Sequence, residues 1–103
     1  MHTKYHKGRQ FEYKVKKFLE RLGFIVVRCA RSKPIDLIAF KKGVKPLFIE
    51  CKSNPYVSPS RKQLLERLVS EAGAELVIVT KEGFDEFKKK MFLRYAEAIS
   101  SSD

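Results

Sequence analysis

The apolar positions of the chain divide into segments with helical spacing and segments with strand composition. In residues 8–22, apolar side chains recur every three or four positions, as on the buried face of a helix, and Gly23 is a typical residue after a helix end. The apolar positions are Phe11, Val15, Phe18, Leu19 and Leu22. This spacing predicts a first helix over residues 8–22.

Three segments rich in β-branched and aromatic residues follow, and their composition is typical of strands. They are "FIVVRC" (24–29), "IDLIAF" (35–40) and "PLFIECK" (46–52). The short polar segment "KKGVK" separates the last two. It predicts a hairpin with Gly43 in its turn.

The second half of the chain predicts a helix, a strand and a helix. Leucines at helical spacing follow a loop rich in Ser and Pro and end near Gly73. The continuous apolar run "ELVIVT" (75–80) predicts a strand covered on both faces, which we expect to be central and parallel to the strand before the helix. The order α-β-β-β-α-β-α predicts an α/β fold with a mixed sheet flanked by helices. A chain of 103 residues suits one such domain, residues 1–103.

Two carboxylates, Asp36 and Glu50, interrupt the apolar strands of the hairpin. A three-residue loop at 42–44 would pair residue 41 with 45 and Asp36 with Glu50, with their Cβ atoms ~5 Å apart. Because opposed carboxylates on an apolar sheet repel each other, this register predicts a bound cation. A two-residue loop would pair Asp36 with residue 49 and place the carboxylates on opposite faces. The metal hypothesis therefore depends on the register.

Lys52 lies on the same strand face as Glu50, where it could orient an attacking water or stabilise charge on a phosphate. The side chain of Cys51 points the other way, but its backbone carbonyl could join the ligands. Oxygen ligands favour magnesium or manganese over zinc. The absence of a CxxC spacing for Cys29 and Cys51 also argues against zinc and suits a reducing compartment. The alternative for both acids is that they cap strand ends and form salt bridges with Lys33, Lys52 or Arg28.

The formal net charge of +10 is concentrated in the first half of the chain. Residues 1–52 hold 14 Lys and Arg against four Asp and Glu, whereas residues 53–103 hold eight of each kind. A one-sided basic field is typical of a surface that binds a polyanion. No apolar run long enough to span a membrane and no secretory signal occur, so we expect a soluble cytoplasmic protein.

The segments "GRQFEYKVKKFLERLGFIVVR", "IDLIAF" and "FIECKS" resemble the PD-(D/E)xK nuclease superfamily, and within it the archaeal Holliday-junction resolvases. The resemblance extends from Gly8 to Thr80. It implies a restriction-endonuclease-like αβββαβα core. It also implies a metal-dependent endonuclease that cuts four-way DNA junctions as a homodimer.

For the site, the resemblance implies that Asp36 and Glu50 bind a divalent metal and that Lys52 assists catalysis. The oxygen ligands predict Mg2+, with Mn2+ able to replace it. It further implies that Glu12 completes the acidic cluster from the first helix. The helical spacing agrees in part, because Glu12 borders the buried stripe. The alternative is a solvated carboxylate paired with Lys16.

Two polar residues have weaker matches to family positions. Ser32 matches a serine that these resolvases carry before the motif aspartate, although the loop "RSKP" is shorter here and Ile35 precedes Asp36 where the motif has Pro. Gln63 resembles a glutamine that some superfamily members carry on the following helix. We favour a capping box from Ser60 to Gln63 instead, because S-x-x-Q is a helix-start signature.

DNA phosphates are the expected partners of the basic residues nearest the predicted site. These are Lys7, Arg9, Arg28, Arg31, Lys33, Arg61 and Lys62. The apolar stripe of the last helix is a candidate dimer surface, although such stripes more often belong to the core. Its residues are Phe84, Phe87, Met91, Phe92 and Tyr95. Two alternative functions are another PD-(D/E)xK DNA nuclease and a non-catalytic nucleic-acid-binding module on the same fold.

Overall fold

Three helices and four strands form the described part of the chain, and their order confirms the prediction. The computed structural model describes residues 4–29, 34–54 and 56–100, with side chains for 9–29, 34–54 and 56–96. The elements are α1 (Lys4–Arg21), β1 (Ile25–Arg28), β2 (Leu37–Lys41), β3 (Val44–Lys52), α2 (Pro59–Ala72), β4 (Glu75–Thr80) and α3 (Phe84–Ser100). None of these helices has the length and apolar character that crossing a bilayer requires.

The strands form one mixed sheet in the order β1-β2-β3-β4. The first three strands are antiparallel, and β4 pairs with β3 in parallel, as predicted. The predicted central position of β4 is wrong, since β4 is an edge strand of this sheet. Its apolar run has a different cause: α2 and α3 both contact β4, and they cover its faces without adding a neighbouring strand.

The main core lies on one face of the sheet, under α1 and α3. Alternate strand residues point into it, and α1 contributes the stripe predicted from its spacing. The α2 residues Leu65 and Val69 are buried outside this cluster, and α2 therefore covers the opposite face. The buried cluster consists of Phe11, Val15, Leu19, Leu22, Phe24, Val26, Leu37, Ala39, Leu47, Ile49, Val79, Met91 and Tyr95.

The apolar stripe of α3 belongs mostly to this core. Met91 and Tyr95 are buried in it, and Phe84 and Phe87 pack against it. Phe92, the remaining member of the predicted stripe, does not pack in the core and is 56% exposed. The expectation of a dimer surface is therefore wrong for Met91 and Tyr95, which are buried within the same chain, and it stays a prediction for Phe84, Phe87 and Phe92.

The β2–β3 hairpin has a tighter turn than predicted. Lys41 pairs with Val44, so only residues 42 and 43 form the turn, and Gly43 takes the left-handed conformation with φ of +78°. The predicted pairing of Lys41 with Lys45 is wrong.

A bulge then restores the predicted register before the strands reach Asp36. Between the pairs Lys41–Val44 and Ala39–Leu47, β2 has one residue while β3 has two, Lys45 and Pro46. Proline has no N–H to donate to the ladder and is therefore typical of bulges. The next pairs, up to Leu37–Ile49, follow the register that places residues 36 and 50 on one face.

The start of α2 also differs from the prediction. Ser58 is the N-cap, and its Oγ accepts a hydrogen bond of 3.3 Å from the backbone N–H of Arg61. The predicted capping box from Ser60 to Gln63 is wrong, since Ser60 lies inside the helix. Pro59 occupies the first turn, where its missing N–H has no helical partner to lose, and the helix therefore begins earlier.

Candidate metal centre

Asp36 lies one residue before β2, at the end of the sheet. Its backbone N–H donates to the carbonyl of Ile49 at 3.1 Å, and its carbonyl accepts from the N–H of Cys29 at 2.9 Å. The carboxylate Oδ2 accepts a 2.7 Å hydrogen bond from the N–H of Cys51. Neighbouring strands therefore fix both the backbone and the side chain of Asp36.

Glu50 is a buried carboxylate on β3, with 4% of its surface exposed. It alternates with the core residue Ile49 and therefore points to the opposite face of the sheet, the face that α2 covers. Arg61 of α2 donates to Glu50 Oε2 from Nε at 3.0 Å and from Nη2 at 2.5 Å. The other oxygen, Oε1, is buried and has no hydrogen-bond partner.

Burial is the main factor that raises the energy of the ionised form of Glu50. Burial raises the pKa of Glu50 above its usual range, the hydrogen bond from Arg61 opposes the rise, and the negative charge of Asp36 adds to it. The pKa of Glu12 on α1 is also raised, by burial and then by Asp36, while Arg28 and Arg9 oppose the rise. The three carboxylates thus form one electrostatic cluster.

The thiol side chain of Cys51 is poorly suited to bind a metal ion. Burial, followed by the nearby carboxylates, raises the pKa of its thiol. The thiol therefore stays protonated and is a poor metal ligand. The role of its backbone carbonyl as a ligand stays a prediction.

The acidic residues have the chemistry that a hard divalent cation requires, although their side chains do not form a complete coordination sphere. Within the described ranges, no three His, Cys, Asp or Glu side chains converge closely enough to hold an ion. The buried and unpartnered Glu50 Oε1 nevertheless lies in the field of Asp36 and Glu12. An added positive charge would stabilise all three ionised carboxylates, and oxygen donors suit Mg2+ or Mn2+.

Lys52 and Gln63 lie in different environments. Lys52 is half-buried on the same face of β3 as Glu50, and its charge lowers the pKa of that carboxyl. Gln63 is exposed on α2. Its catalytic role stays a prediction, but the capping role that competed with it is removed by the Ser58 cap.

The basic residues predicted to contact DNA are only partly in the described region. Arg28 is exposed, and its Nη2 lies 3.7 Å from Glu12 Oε1. Arg9 and Lys62 are exposed, and Arg61 binds Glu50. Arg31, Lys33 and the candidate Ser32 lie outside the described residues, as does the side chain of Lys7.

The contact between Arg61 and Glu50 could not be identified from the sequence. Arg61 was one of several basic residues near the predicted site, and nothing in its local spacing distinguishes it. The two residues are 11 positions apart, separated by a loop and the start of a helix. Only the packing of α2 on the sheet brings them together.

Comparison with known proteins identifies the family. The model of the archaeal Holliday junction resolvase (Hjc) family matches residues 3–100. The crossover junction endodeoxyribonuclease Hjc of Methanocaldococcus jannaschii is 43% identical over 74 residues, which cover 68% of this chain and 53% of that protein. The structure of Archaeoglobus fulgidus Hjc, a Holliday junction resolvase, aligns with a TM-score of 0.59 at 27% identity and covers 73% of this chain and 66% of that one.

The chain thus spans about half of the length of the Methanocaldococcus relative and about two thirds of the Archaeoglobus chain. The fold and the element order agree with the structural neighbour. Since the family model covers nearly all residues, the chain belongs to the archaeal Holliday junction resolvase family.

Proposed function

We propose that this protein is a metal-dependent endodeoxyribonuclease that cuts four-way DNA junctions by hydrolysing phosphodiesters. The observation that carries the proposal is the buried Glu50 carboxylate with an unpartnered oxygen beside Asp36 and Glu12. Family membership supports the substrate, because the named relatives are junction nucleases. A cytoplasmic location is consistent with an enzyme that acts on DNA.

In this proposal the metal ligands are Asp36, Glu50, Glu12 and the backbone carbonyl of Cys51. Nucleases of this family generally use a divalent metal, and we propose Mg2+ with Mn2+ able to replace it, because the ligands are hard oxygens. An ion held by these residues would lower the pKa of a water near the phosphate and would neutralise charge on the phosphate.

The protein's own groups hold and orient the reactants. The hydrogen bond from the Cys51 N–H fixes Asp36, and Arg61 fixes one oxygen of Glu50. Lys52, on the same face as Glu50, stabilises the charge that develops on the phosphate oxygens. Hydrolysis forms a bond from the water oxygen to phosphorus and breaks the bond to a deoxyribose oxygen, which leaves with a proton.

The basic first half of the protein supplies the DNA-binding surface. Residues 1–52 hold the net positive charge of the chain, and they include α1 and the strands that carry Asp36 and Glu50. Phosphate binding releases counterions, and junction affinity should therefore fall steeply with salt. Arg9, Arg28 and Lys62 are the described candidates with exposed side chains.

The decisive experiment compares cleavage of a labelled four-way junction with cleavage of a linear duplex of the same sequence. We expect paired cuts in the junction alone, with Mg2+ and not with EDTA, and we expect Glu50→Gln to abolish them. Glu20→Gln is the matched control, because Glu20 lies on the surface of α1 in an ion pair with Lys16. Equal cleavage of both DNAs would favour another type of nuclease. Salt-sensitive binding without any cleavage would favour the binding module.

Paired cuts also call for two sites, and we propose a homodimer that packs through β1 and β2 on the face of the sheet opposite the main core, where their side chains are exposed. Ile25 and Val27 of β1 are 70% and 48% exposed, and Phe40 of β2 is 42% exposed. Ile25 pairs with Phe40 and Val27 with Ile38, so these four side chains form one apolar surface opposite the main core.

A second copy suits this surface, because a two-fold axis can place the same apolar patch on both subunits. A stable interface buries about 800 Å² on each partner, and the patch would form its centre. Asp36 and Glu50 lie at the end of the same face, so the contact would hold two acidic clusters in a fixed relation.

Light scattering tests the assembly. The wild type should have twice the 12.0 kDa mass of the chain, and the double variant Ile25→Lys, Val27→Lys should be monomeric. Phe92→Lys is the control, because Phe92 is also widely exposed, at 56%, but lies on α3. A dimer that survives the double variant, or that Phe92→Lys dissociates, would contradict this interface.

A further inference from the structure

Arg61 connects three segments of the candidate metal centre. Its side chain extends from the first turn of α2 and is 39% exposed, whereas the Glu50 side chain that it contacts is 6% exposed. Nε and Nη2 both donate to Glu50 Oε2. Nη2 also donates to the carbonyl of Pro34 at 2.9 Å. Pro34 lies two residues before Asp36, so one guanidinium links α2 with the segments that carry both acids.

We propose that Arg61 is a positioning residue for the metal centre, which holds one oxygen of Glu50 and the backbone before Asp36 so that Glu50 Oε1 remains available to a divalent cation. This inference rests on the proposed metal site. The different environments of the two Glu50 oxygens support it. Oε2 accepts both hydrogen bonds from Arg61, whereas Oε1 is buried and accepts none.

Orientation, and not charge alone, is what this geometry supplies. The guanidinium is planar, and its N–H groups point in fixed directions, so it can hold the carboxylate and the carbonyl together. A lysine ammonium would keep the charge but lose the fixed fork. If Arg61 instead acted only as a positive charge in the place of the cation, its removal would strengthen metal binding, because a repulsive charge would be gone.

The experiment measures Mn2+ binding to the full chain without DNA, by the loss of the free-ion electron paramagnetic resonance signal. Arg61→Gln and Arg61→Lys should both weaken binding about 10- to 100-fold, the usual effect of removing a group that orients a metal ligand. Arg67→Gln, which removes an exposed charge from the same helix, should leave binding unchanged. Circular dichroism checks that each variant keeps its helices.

Three results would overturn the inference: tighter binding in Arg61→Gln, wild-type binding in Arg61→Lys, or unchanged binding in both. Cleavage adds a second criterion, because a positioning role predicts that high Mn2+ restores much of the rate to Arg61→Gln, whereas Lys52→Gln stays inactive at any metal concentration.

The same data separate this inference from the proposed function. If the wild type binds Mn2+ with the expected dependence on Arg61 but cuts no DNA, the nuclease proposal fails and the positioning role stands. If junctions are cut and the Arg61 variants bind Mn2+ like the wild type, only the positioning role fails. A wild type that binds no Mn2+ would overturn both.

Discussion

Glu50→Gln should make the metal-free protein more stable, although it removes a residue that we place at the metal centre. The Glu50 carboxylate is buried, one of its oxygens has no partner, and its pKa is raised by burial despite the hydrogen bond from Arg61. The neutral amide can still accept from Arg61. Its NH2 group can donate toward the carboxylates that now repel Glu50.

The expected magnitude follows from two opposing effects. A buried acceptor without a partner costs ~1–3 kcal/mol, and the substitution removes this cost. Loss of the ion pair acts in the other direction, but the Arg61 side chain is 39% exposed and can be solvated by water. Discounted for this exposure, the half-buried pair contributes about 1 kcal/mol, the upper end of the range for exposed pairs. The net gain in the free energy of unfolding should therefore be about 1 kcal/mol, which raises Tm by ~4–8 °C in a domain of this size.

Thermal unfolding followed by circular dichroism tests this in EDTA and in Mn2+. In EDTA, Glu50→Gln should unfold at a higher temperature than the wild type. In Mn2+ at ~100 times its dissociation constant, the wild type should gain ~2.7 kcal/mol, and the variant should gain much less. The order of the two melting temperatures should therefore reverse between the two conditions.

The pH dependence of the free energy of unfolding in EDTA is an independent test of the same prediction. Because the pKa of Glu50 is raised from 4.5 in the folded protein, the folded state binds the proton more tightly than the unfolded state does. Stability is therefore lost as the pH rises from about 4.5 through the folded pKa. The advantage of Glu50→Gln should grow over this window. Glu12 has the same direction of shift and should contribute the slope that remains in the variant.

Glu20→Gln is the control for this reasoning, because the pKa of Glu20 is lowered by its hydrogen bond with Lys16. Removing this carboxylate should not stabilise the protein in EDTA. A lower melting temperature of Glu50→Gln than of the wild type in EDTA, or equal stabilisation of both proteins by Mn2+, would contradict an energetic cost of the ionised Glu50 that a metal ion relieves.

Three further substitutions test the fold and the chemistry. Ser58→Ala should lower the free energy of unfolding in urea by ~0.5–2 kcal/mol through loss of the N-cap, whereas Ser60→Ala should have little effect; the reverse order would restore the capping box. Gly23→Ala should cost ~1–3 kcal/mol, because Gly23 has φ of +94° and a new Cβ would lie 2.7 Å from Lys41 Nζ, and an unchanged urea midpoint would contradict this. Lys52→Gln should reduce junction cleavage at least ~100-fold, as expected for loss of a group that stabilises the transition state, without weakening Mn2+ binding, and weaker Mn2+ binding would instead place Lys52 in a positioning role.

The sequence was sufficient to predict the helices and strands, because each has its own local pattern of apolar residues. "ELVIVT" predicted β4 over residues 75–80, and the structure has the same bounds. Its position in the sheet was wrong, because an apolar run reports that both faces are covered and contains no information on how many strands lie beside it. Coverage of β4 comes from α2 and α3, and the edge position follows from the pairing of the other three strands.

The candidate site also has a part that the sequence could predict and a part that it could not. The alternation of side chains was sufficient to place Glu50 and Lys52 on one face of β3, whereas the position of Asp36 on that face depended on the hairpin register, which the sequence left open. The contact between Arg61 and Glu50 depends on where α2 packs. The helix also begins earlier than predicted, because its N-cap is Ser58 and not Ser60. Long-range packing and side-chain geometry were therefore the parts that the sequence could not supply.

The hairpin explains why the register at the site was correct although the turn was not. The turn is one residue shorter than expected, and a regular ladder from the pair Lys41–Val44 would have paired Asp36 with Ile49 and sent Glu50 to the other face. The extra residue of β3 at Lys45 and Pro46 compensates for the shorter turn. The bulge lies at the opposite end of the strands from the acidic cluster, yet it determines which side chains face each other there. The geometry of the metal centre thus depends on an irregularity that Pro46, a residue unsuited to a regular ladder, stabilises at a distance from the chemistry.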